Sequence, residues 1–292
     1  QSRGPNLFVP LPHLCDYRTL HTPRSGLLVA PGEIATAMTA LLDALRAQSR
    51  WRALDLRNLP DRDGQLQTAR QLALAQGGGW FPRRSFARPV RGIHAGDGAT
   101  AQVESKERRR RRRRLAEQGA LSFHLLQGAQ ADAQALEQHL HLEHAGWKGE
   151  RGSSLLSSPA QAAFFRDMIA GFAALGLAAF METRLDGKAI ASSSNLRLGD
   201  TLNGLKIGWD PAYAAFSPGR LNETELQRRL PQELPQPGFY DSQSQERSYL
   251  ADLLPRRMPV ETGTLALGRR AALAMRAARG WRPLAWRLRD DD

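Results

Sequence analysis

Residues 176–231 read GLAAFMETRLDGKAIASSSNLRLGDTLNGLKIGWDPAYAAFSPGRLNETELQRRLP, and this stretch decides the fold. Three segments, Leu177 to Leu185, Lys188 to Leu196 and Thr201 to Trp209, are short and apolar. They are separated by Asp186-Gly187 and Gly199-Asp200, dipeptides that favour two-residue hairpin turns. The spacing predicts an antiparallel meander. Its last strand leads through a loop to Ser217-Pro218-Gly219-Arg220, which opens an amphipathic helix. A helix start leaves backbone N–H groups without intrahelical partners, and proline suits the first turn. With the positive end of the dipole and Arg220 beside it, this start suits an anion; an ordinary loop and helix cap is the other reading.

Working outward, a strand is expected at Leu121 to Leu126 and a helix at Asp132 to Ala145, capped by Asp132. A loop, Gly146 to Ser158, carries Trp147-Lys148-Gly149, and a second helix spans Pro159 to Leu175. Beyond the meander come a short strand near Phe239 to Asp241, a polar segment with Glu246 and Tyr249, a strand at Thr262 to Leu267 and a helix at Arg269 to Ala278. In the N-terminal part, Ala35 to Leu45 and Gln65 to Gln76 read as helices flanking a strand at Trp51 to Leu56. Gly77-Gly78-Gly79 ends the second of them, and Val90 to Val103 carries little signal. No internal repeat and no low-complexity linker divides the chain.

Composition limits the function classes. With 292 residues, 41% hydrophobic and 24% charged, the chain reads as a globular protein of one large or two moderate domains. The longest apolar stretch, Met168 to Met181, is too short for a bilayer, so no membrane span is expected. No basic segment followed by an apolar core opens the sequence, so no secretory signal is read there. The lone Cys15 excludes an intrachain disulfide and fits a cytoplasmic setting. The net charge is +12, much of it in Lys106 and the run Arg108 to Arg114, opposed there by Glu107. Three readings stand: a solvated helix ending at Gly119, a surface that steers a polyanionic ligand, or a nucleic-acid patch. The last is less favoured, because no aromatic residue interleaves the run to stack on bases. Seven consecutive arginines also cannot share one helical face.

The order from residue 121 is strand, helix, helix, three strands, helix, strand, helix, strand. It resembles the core of the GNAT acyltransferase superfamily, and more narrowly its FemAB-like and CelD-like branch, the BioF2-like acetyltransferase domain. The resemblance rests on the basic helix Lys106 to Leu115, on Glu143 with Trp147-Lys148-Gly149, on Lys206 with Trp209-Asp210, on Ser217-Pro218-Gly219, and on Asp241 followed by Tyr249. It covers about residues 100 to 270, and residues 5 to 80 look similar to part of a first, degenerate or truncated copy. The implied architecture is α/β and tandem GNAT-like, with a mixed, mostly antiparallel sheet flanked by helices. The domains expected are residues 1–104 for the first copy, 105–120 for a basic connecting helix and 121–292 for the acyltransferase copy. Two departures leave the acceptor site open: Tyr249 is followed by Leu250, and Ala99-Thr100-Ala101-Gln102 stands where the family is aromatic-rich.

The resemblance implies direct acyl transfer from acyl-coenzyme A, acetyl-coenzyme A first among the candidates, to an amine without a covalent enzyme intermediate. Main-chain donors on the strand around Asn203, Leu205 and Ile207 would polarise the thioester, while Ser217, Gly219 and Arg220 would hold the pyrophosphate. Glu143, His144 and Glu182 are the candidate bases, and Tyr249 is placed to protonate the departing thiolate. Trp147, Lys148, Lys206 and Asp241 are acceptor-site candidates. Each has a plainer reading: packing for Trp147 and Tyr249, a solvent-facing strand position for Lys206, a helix cap for Asp241. His139, His141 and His144 lack zinc-motif spacing, and no metal is expected. The resembling family is usually placed in bacterial envelope or exopolysaccharide metabolism. Its FemAB members instead take aminoacyl groups from charged tRNA, in which case the basic helix would hold RNA. A non-catalytic basic binding module of the same fold is the third reading.

Overall fold

The computed structural model describes residues 1–292 apart from 7, 18, 20, 31, 94–104, 235–237 and 281–292. The aromatic-poor segment Ala99 to Gln102 lies outside the described residues. In chain order the elements begin with β1 (Ser2–Arg3), β2 (His13–Cys15), α1 (Ile34–Ala47), β3 (Ala53–Pro60), α2 (Gln65–Ala75), β4 (Gly79–Gly92), α3 (Lys106–Ala116), β5 (Leu121–Gln127) and α4 (Ala133–His144). They continue with α5 (Trp147–Glu150), α6 (Pro159–Ala174), β6 (Ala178–Leu185), β7 (Lys188–Leu198), β8 (Thr201–Trp209), α7 (Pro218–Glu233), β9 (Phe239–Asp241), β10 (Arg256–Ala266) and α8 (Arg269–Gly280). The fold is mixed α/β. None of the described helices is long and apolar enough to cross a membrane.

The chain divides into two compact units. The first comprises residues 1–88 and 257–292, the second 89–256. The C-terminal strand and helix therefore group with the N-terminal segment, whereas the sequence reading kept them with the acyltransferase copy. In the first unit β10 pairs antiparallel with β3 and β2 runs parallel to β3. Helices α1 and α2 bury Met38, Leu42, Leu45, Leu66 and Ala69 against Leu54, Leu59 and Leu265.

Strand β4 was not legible in the sequence. Its 14 residues include Pro82, Pro89 and four arginines, which break any apolar alternation. The burial is made possible by pairing: Arg83 donates to Asp55 at 2.6 Å and to Thr264 at 2.7 Å, with both charged side chains nearly inaccessible.

The second unit has the strand order β9, β8, β7, β6, β5, with the last residues of β4, Val90 to Gly92, antiparallel to β9. Strands β6 to β8 form the expected meander, and β5 pairs antiparallel with β6. Asp186 and Gly187 both adopt left-handed conformations (φ 50° and 78°), as the mirror-image hairpin turn requires. Helix α4 is capped by Asp132, whose Oδ1 accepts from the Ala135 amide at 2.9 Å. With α6 it buries Leu136, Leu140, Phe165 and Ile169 against Phe180 and Leu196 on one sheet face. On the other face α7 sets Leu226 and Leu230 against Met181, Leu202 and Tyr240. Both faces of the meander are thus covered, and β6 and β7 are buried along most of their length.

Candidate active site

The site starts from an irregularity in β8. Opposite β7, Ser194 pairs with Lys206 but Asn195 pairs with Gly204, so Leu205 is an inserted residue, a bulge. On its other side β8 runs parallel to β9 over Thr201, Leu202 and Asn203 only. Among the described residues no strand continues that pairing along Gly204 to Trp209. A sheet opened in this way presents main-chain donors and acceptors to a cleft rather than to a neighbour.

On one face of β8 lies the end of α4. A Cβ at Gly208 would overlap the backbone of Leu142 and Glu143, so glycine is what allows this helix to lie directly on the strand. The Glu143 side chain is fully inaccessible. Its Oε2 accepts from the Leu155 amide at 2.9 Å, and Oε1 is 3.1 Å from the Lys148 ammonium. Lys148 also donates to the Ile207 carbonyl at 2.8 Å and so anchors α5 to the strand. The half-buried Lys206 lies in the field of the same carboxylate and ammonium. Burial holds its pKa below the ordinary lysine value; Glu143 acts against that and Lys148 with it. A small cleft here is lined by Glu143, Trp147, Lys148, Ile207, Gly208 and Trp209. Glu143, Trp147, Lys148, Lys206 and Ile207 are therefore brought together.

On the opposite face Ile207 and Trp209 meet the start of α7. A Cβ at Gly219 would stand 3.3 Å from Ile207 Cδ1 and 3.2 Å from Trp209 Cε3. Ser217 takes a left-handed conformation (φ 53°), and its hydroxyl makes no cap bond to α7. Instead it accepts from Arg111 of α3, whose second nitrogen donates to Glu107. The amides of Arg220 and Leu221 donate back to the Ser217 carbonyl at 3.0 and 3.2 Å. Arg220 lies over the Tyr249 ring at 5.7 Å and pairs with Asp252 at 3.5 Å.

The basic helix α3 is thereby tied to the start of α7. Arg112 stacks over Phe123 and lies 3.9 Å from Glu225, and Arg114 stacks over Phe216. Burial alone would raise the Glu225 pKa; bonds from Arg228 and Arg229, with Arg112 nearby, hold it down instead. Arg109 and Arg113 line a groove with Leu121 and Phe123. The run is neither wholly solvated nor wholly turned to one partner.

A second polar group, missed in the sequence, sits beneath β8 on the α7 side. Tyr240 of β9 donates to Glu223 Oε2 at 3.2 Å, and a Cβ at Gly204 would be 2.6 Å from the Tyr240 hydroxyl. Asn222 receives a bond from Thr183 at 3.0 Å and donates to Ser193 Oγ at 3.1 Å. Burial pushes the Glu223 carboxyl up to about 7, against bonds from Ser193 and Tyr240 that favour its charged form. Burial likewise raises the Tyr240 and Tyr249 phenols well above their usual value, and the Glu223 charge adds to both. The available signal was Ser192-Ser193-Ser194-Asn195, four polar residues in a central strand with no exposed face.

The remaining predicted residues fall elsewhere. His144 is exposed, and its Nδ1 bonds Ser154 Oγ at 2.7 Å. Glu182 is buried on β6 and pairs with Arg184 at 2.7 Å. Asn203 Oδ1 accepts from Gln243 at 2.7 Å, and Asp241 Oδ1 accepts from the Gln243 amide at 3.0 Å. Asp241 thus shapes a turn rather than capping a helix. Tyr249 opens a 3-10 turn, Tyr249–Asp252. His139 is fully buried between Phe165 and Phe180, its Nδ1 3.1 Å from Ser192 Oγ. Burial first, then the charge of Lys148, lowers its pKa to about 3. Among the described residues no group of three or more His, Cys, Asp or Glu could hold a metal.

A bulged strand that parts from its parallel neighbour beside a helix start is the arrangement of a GNAT-like core. Comparison with known proteins agrees: residues 104–236 match the acetyltransferase (GNAT) domain family. Over that segment the chain is similar to this family. No curated protein matches it. Among solved structures it is similar to FemX (12% identity, TM-score 0.53, covering 93% of this chain and 84% of that one). It is also similar to the C-terminal domain of a putative lysylphosphatidylglycerol synthetase from Agrobacterium fabrum (13%, 0.51, 84% and 76%). A third is a conserved protein of unknown function from Bacteroides thetaiotaomicron VPI-5482 (13%, 0.52, 78% and 75%). At these identities the likeness is one of fold.

Proposed function

We propose that the chain is an acyl-coenzyme A-dependent N-acyltransferase, with acetyl-coenzyme A as its donor, working in the cytoplasm on an amine acceptor. The observation that carries this reading is the opening of β8 after Asn203, next to the start of α7. In this reading the pantetheine arm lies along the free edge, with Leu205 and Ile207 supplying main-chain contacts. The pyrophosphate meets Ser217, the Gly219 amide and the guanidinium groups of Arg220 and Arg111. Because the amides of Arg220 and Leu221 are turned inward, the side chains supply most of the charge. Trp147, Lys148 and Lys206 then border the acceptor side, and Glu143 fixes Lys148 rather than travelling to the substrate.

Calorimetric titration with acetyl-coenzyme A tests this. Saturable binding is expected. Arg220→Ala and Arg111→Ala each weaken it about tenfold, the worth of a charge-assisted hydrogen bond at about 1.5 kcal/mol. No heat with the unaltered chain, or equal affinity in all three, refutes the proposal.

A second reading draws on the arginine-lined groove of α3. There the donor is an aminoacyl group on tRNA, as the FemAB branch uses. Salt-sensitive tRNA binding that is weakened by Arg109→Ala, with no response to acetyl-coenzyme A, would select it.

A further inference from the structure

Acyl transfer to an amine releases one proton at the moment the C–N bond forms, and a buried cleft needs a place for it. The candidates read from the sequence do not offer one at the bulge. Glu143 is held by Lys148 and the Leu155 amide, Glu182 by Arg184, and His144 is exposed on α4. The Glu223 group is arranged differently. Thr183 donates to Asn222, and Asn222 donates to Ser193. The Ser193 hydroxyl is thereby left to donate to Glu223, as Tyr240 does from the other side. Every hydrogen bond in the group ends on one carboxylate. The charged and titratable groups around it are Tyr240 and Asp241 from β9, Tyr249 from the following turn and Arg220 from α7 itself. The Tyr240 hydroxyl fills the space a side chain at Gly204 would need, one residue before the bulge.

The geometry points to Glu223, acting through Tyr240, as the group that takes up the proton of the attacking nucleophile; this rests on the transferase reading above. The amine nitrogen attacks the thioester carbonyl carbon, forming the C–N bond. Its proton passes to the Tyr240 oxygen as the Tyr240 proton passes to Glu223 Oε2. The C–S bond then breaks with its electron pair on sulfur, and the same relay returns the proton to the thiolate. The products are the amide and free coenzyme A, and the carboxylate is regenerated. Tyr240 is the group that meets the reacting atoms, and Glu223 is a positioning residue that holds the proton.

The test measures thiol release from acetyl-coenzyme A by the full chain with an arylamine, whose nitrogen stays neutral from pH 5.5 to 9. The expected kcat/KM falls on the acid side with a midpoint near pH 7, since only the ionised carboxylate accepts. Glu223→Gln lowers the plateau on the order of a hundredfold and abolishes that limb, while Glu223→Asp restores part of both. Calorimetric affinity for acetyl-coenzyme A stays unchanged in both variants, which shows that they are folded. An unchanged profile in Glu223→Gln overturns this inference and leaves the transferase intact. Binding of acetyl-coenzyme A without thiol release at any pH also overturns it. Absence of binding by the unaltered chain overturns the transferase reading and this one together.

Discussion

Replacing Glu223 with glutamine changes how stability depends on pH, and the structure sets the size of the change. The carboxyl is 3% exposed and is held near 7 by burial, against 4.5 in an unfolded chain. Below about pH 4.5 both states are protonated and the group contributes its full stabilisation. Between the two values the unfolded chain ionises while the folded one keeps its proton, so stability falls by about 1.4 kcal/mol per pH unit. Above 7 the loss is complete, at about 3 kcal/mol. Glutamine does not titrate, so any hydrogen bond it alters adds a constant offset. Denaturant unfolding of both proteins from pH 5 to 8.5 gives the difference directly. The unaltered protein should lose about 2.5 kcal/mol relative to Glu223→Gln across that range, the rest of the loss falling below pH 5. Parallel curves would refute the placement of an uncompensated carboxyl under β8.

Other perturbations follow from the same packing. Lys148→Met leaves Glu143 buried without its cation and should cost about 3 kcal/mol in denaturant unfolding, much of it recovered by adding Glu143→Gln. Gly208→Ala should cost about 3 kcal/mol or more, because the new Cβ displaces the α4 backbone; a loss under about 0.5 kcal/mol would contradict the close approach. His139 has a pKa lowered to about 3, so it stabilises fully above 6.5 and the contribution is lost as pH falls toward 3. Between pH 6.5 and 5 the unaltered protein should lose about 2 kcal/mol that His139→Gln does not lose.

What could be read in the sequence was what depends on neighbours in the chain. The meander was legible because Asp186-Gly187 and Gly199-Asp200 mark turns between short strand-like segments. The cap at Asp132 and the helix start at Pro159 were legible for the same reason. Strand β4 was not, since Arg83 is buried only by pairing with Asp55, 28 residues away. Nor was the return of β10 to β3, where Val260 meets Pro60 and no local signal marks the partner. At the site, Glu143 and Lys148 were singled out through the family resemblance and Gly219 through the helix start, and the structure sets them around Ile207. Glu223 escaped notice because a glutamate in an amphipathic helix ordinarily faces water. Only the fold shows that this one turns inward onto Tyr240.

The most direct test of the account is the structure of the chain in complex with coenzyme A. The account predicts the pyrophosphate against Ser217, Gly219 and Arg220, and the thiol at the bulge near Leu205 with Tyr240 beneath it. Coenzyme A bound elsewhere, or a β8 edge still closed to it at saturating concentration, would contradict the account.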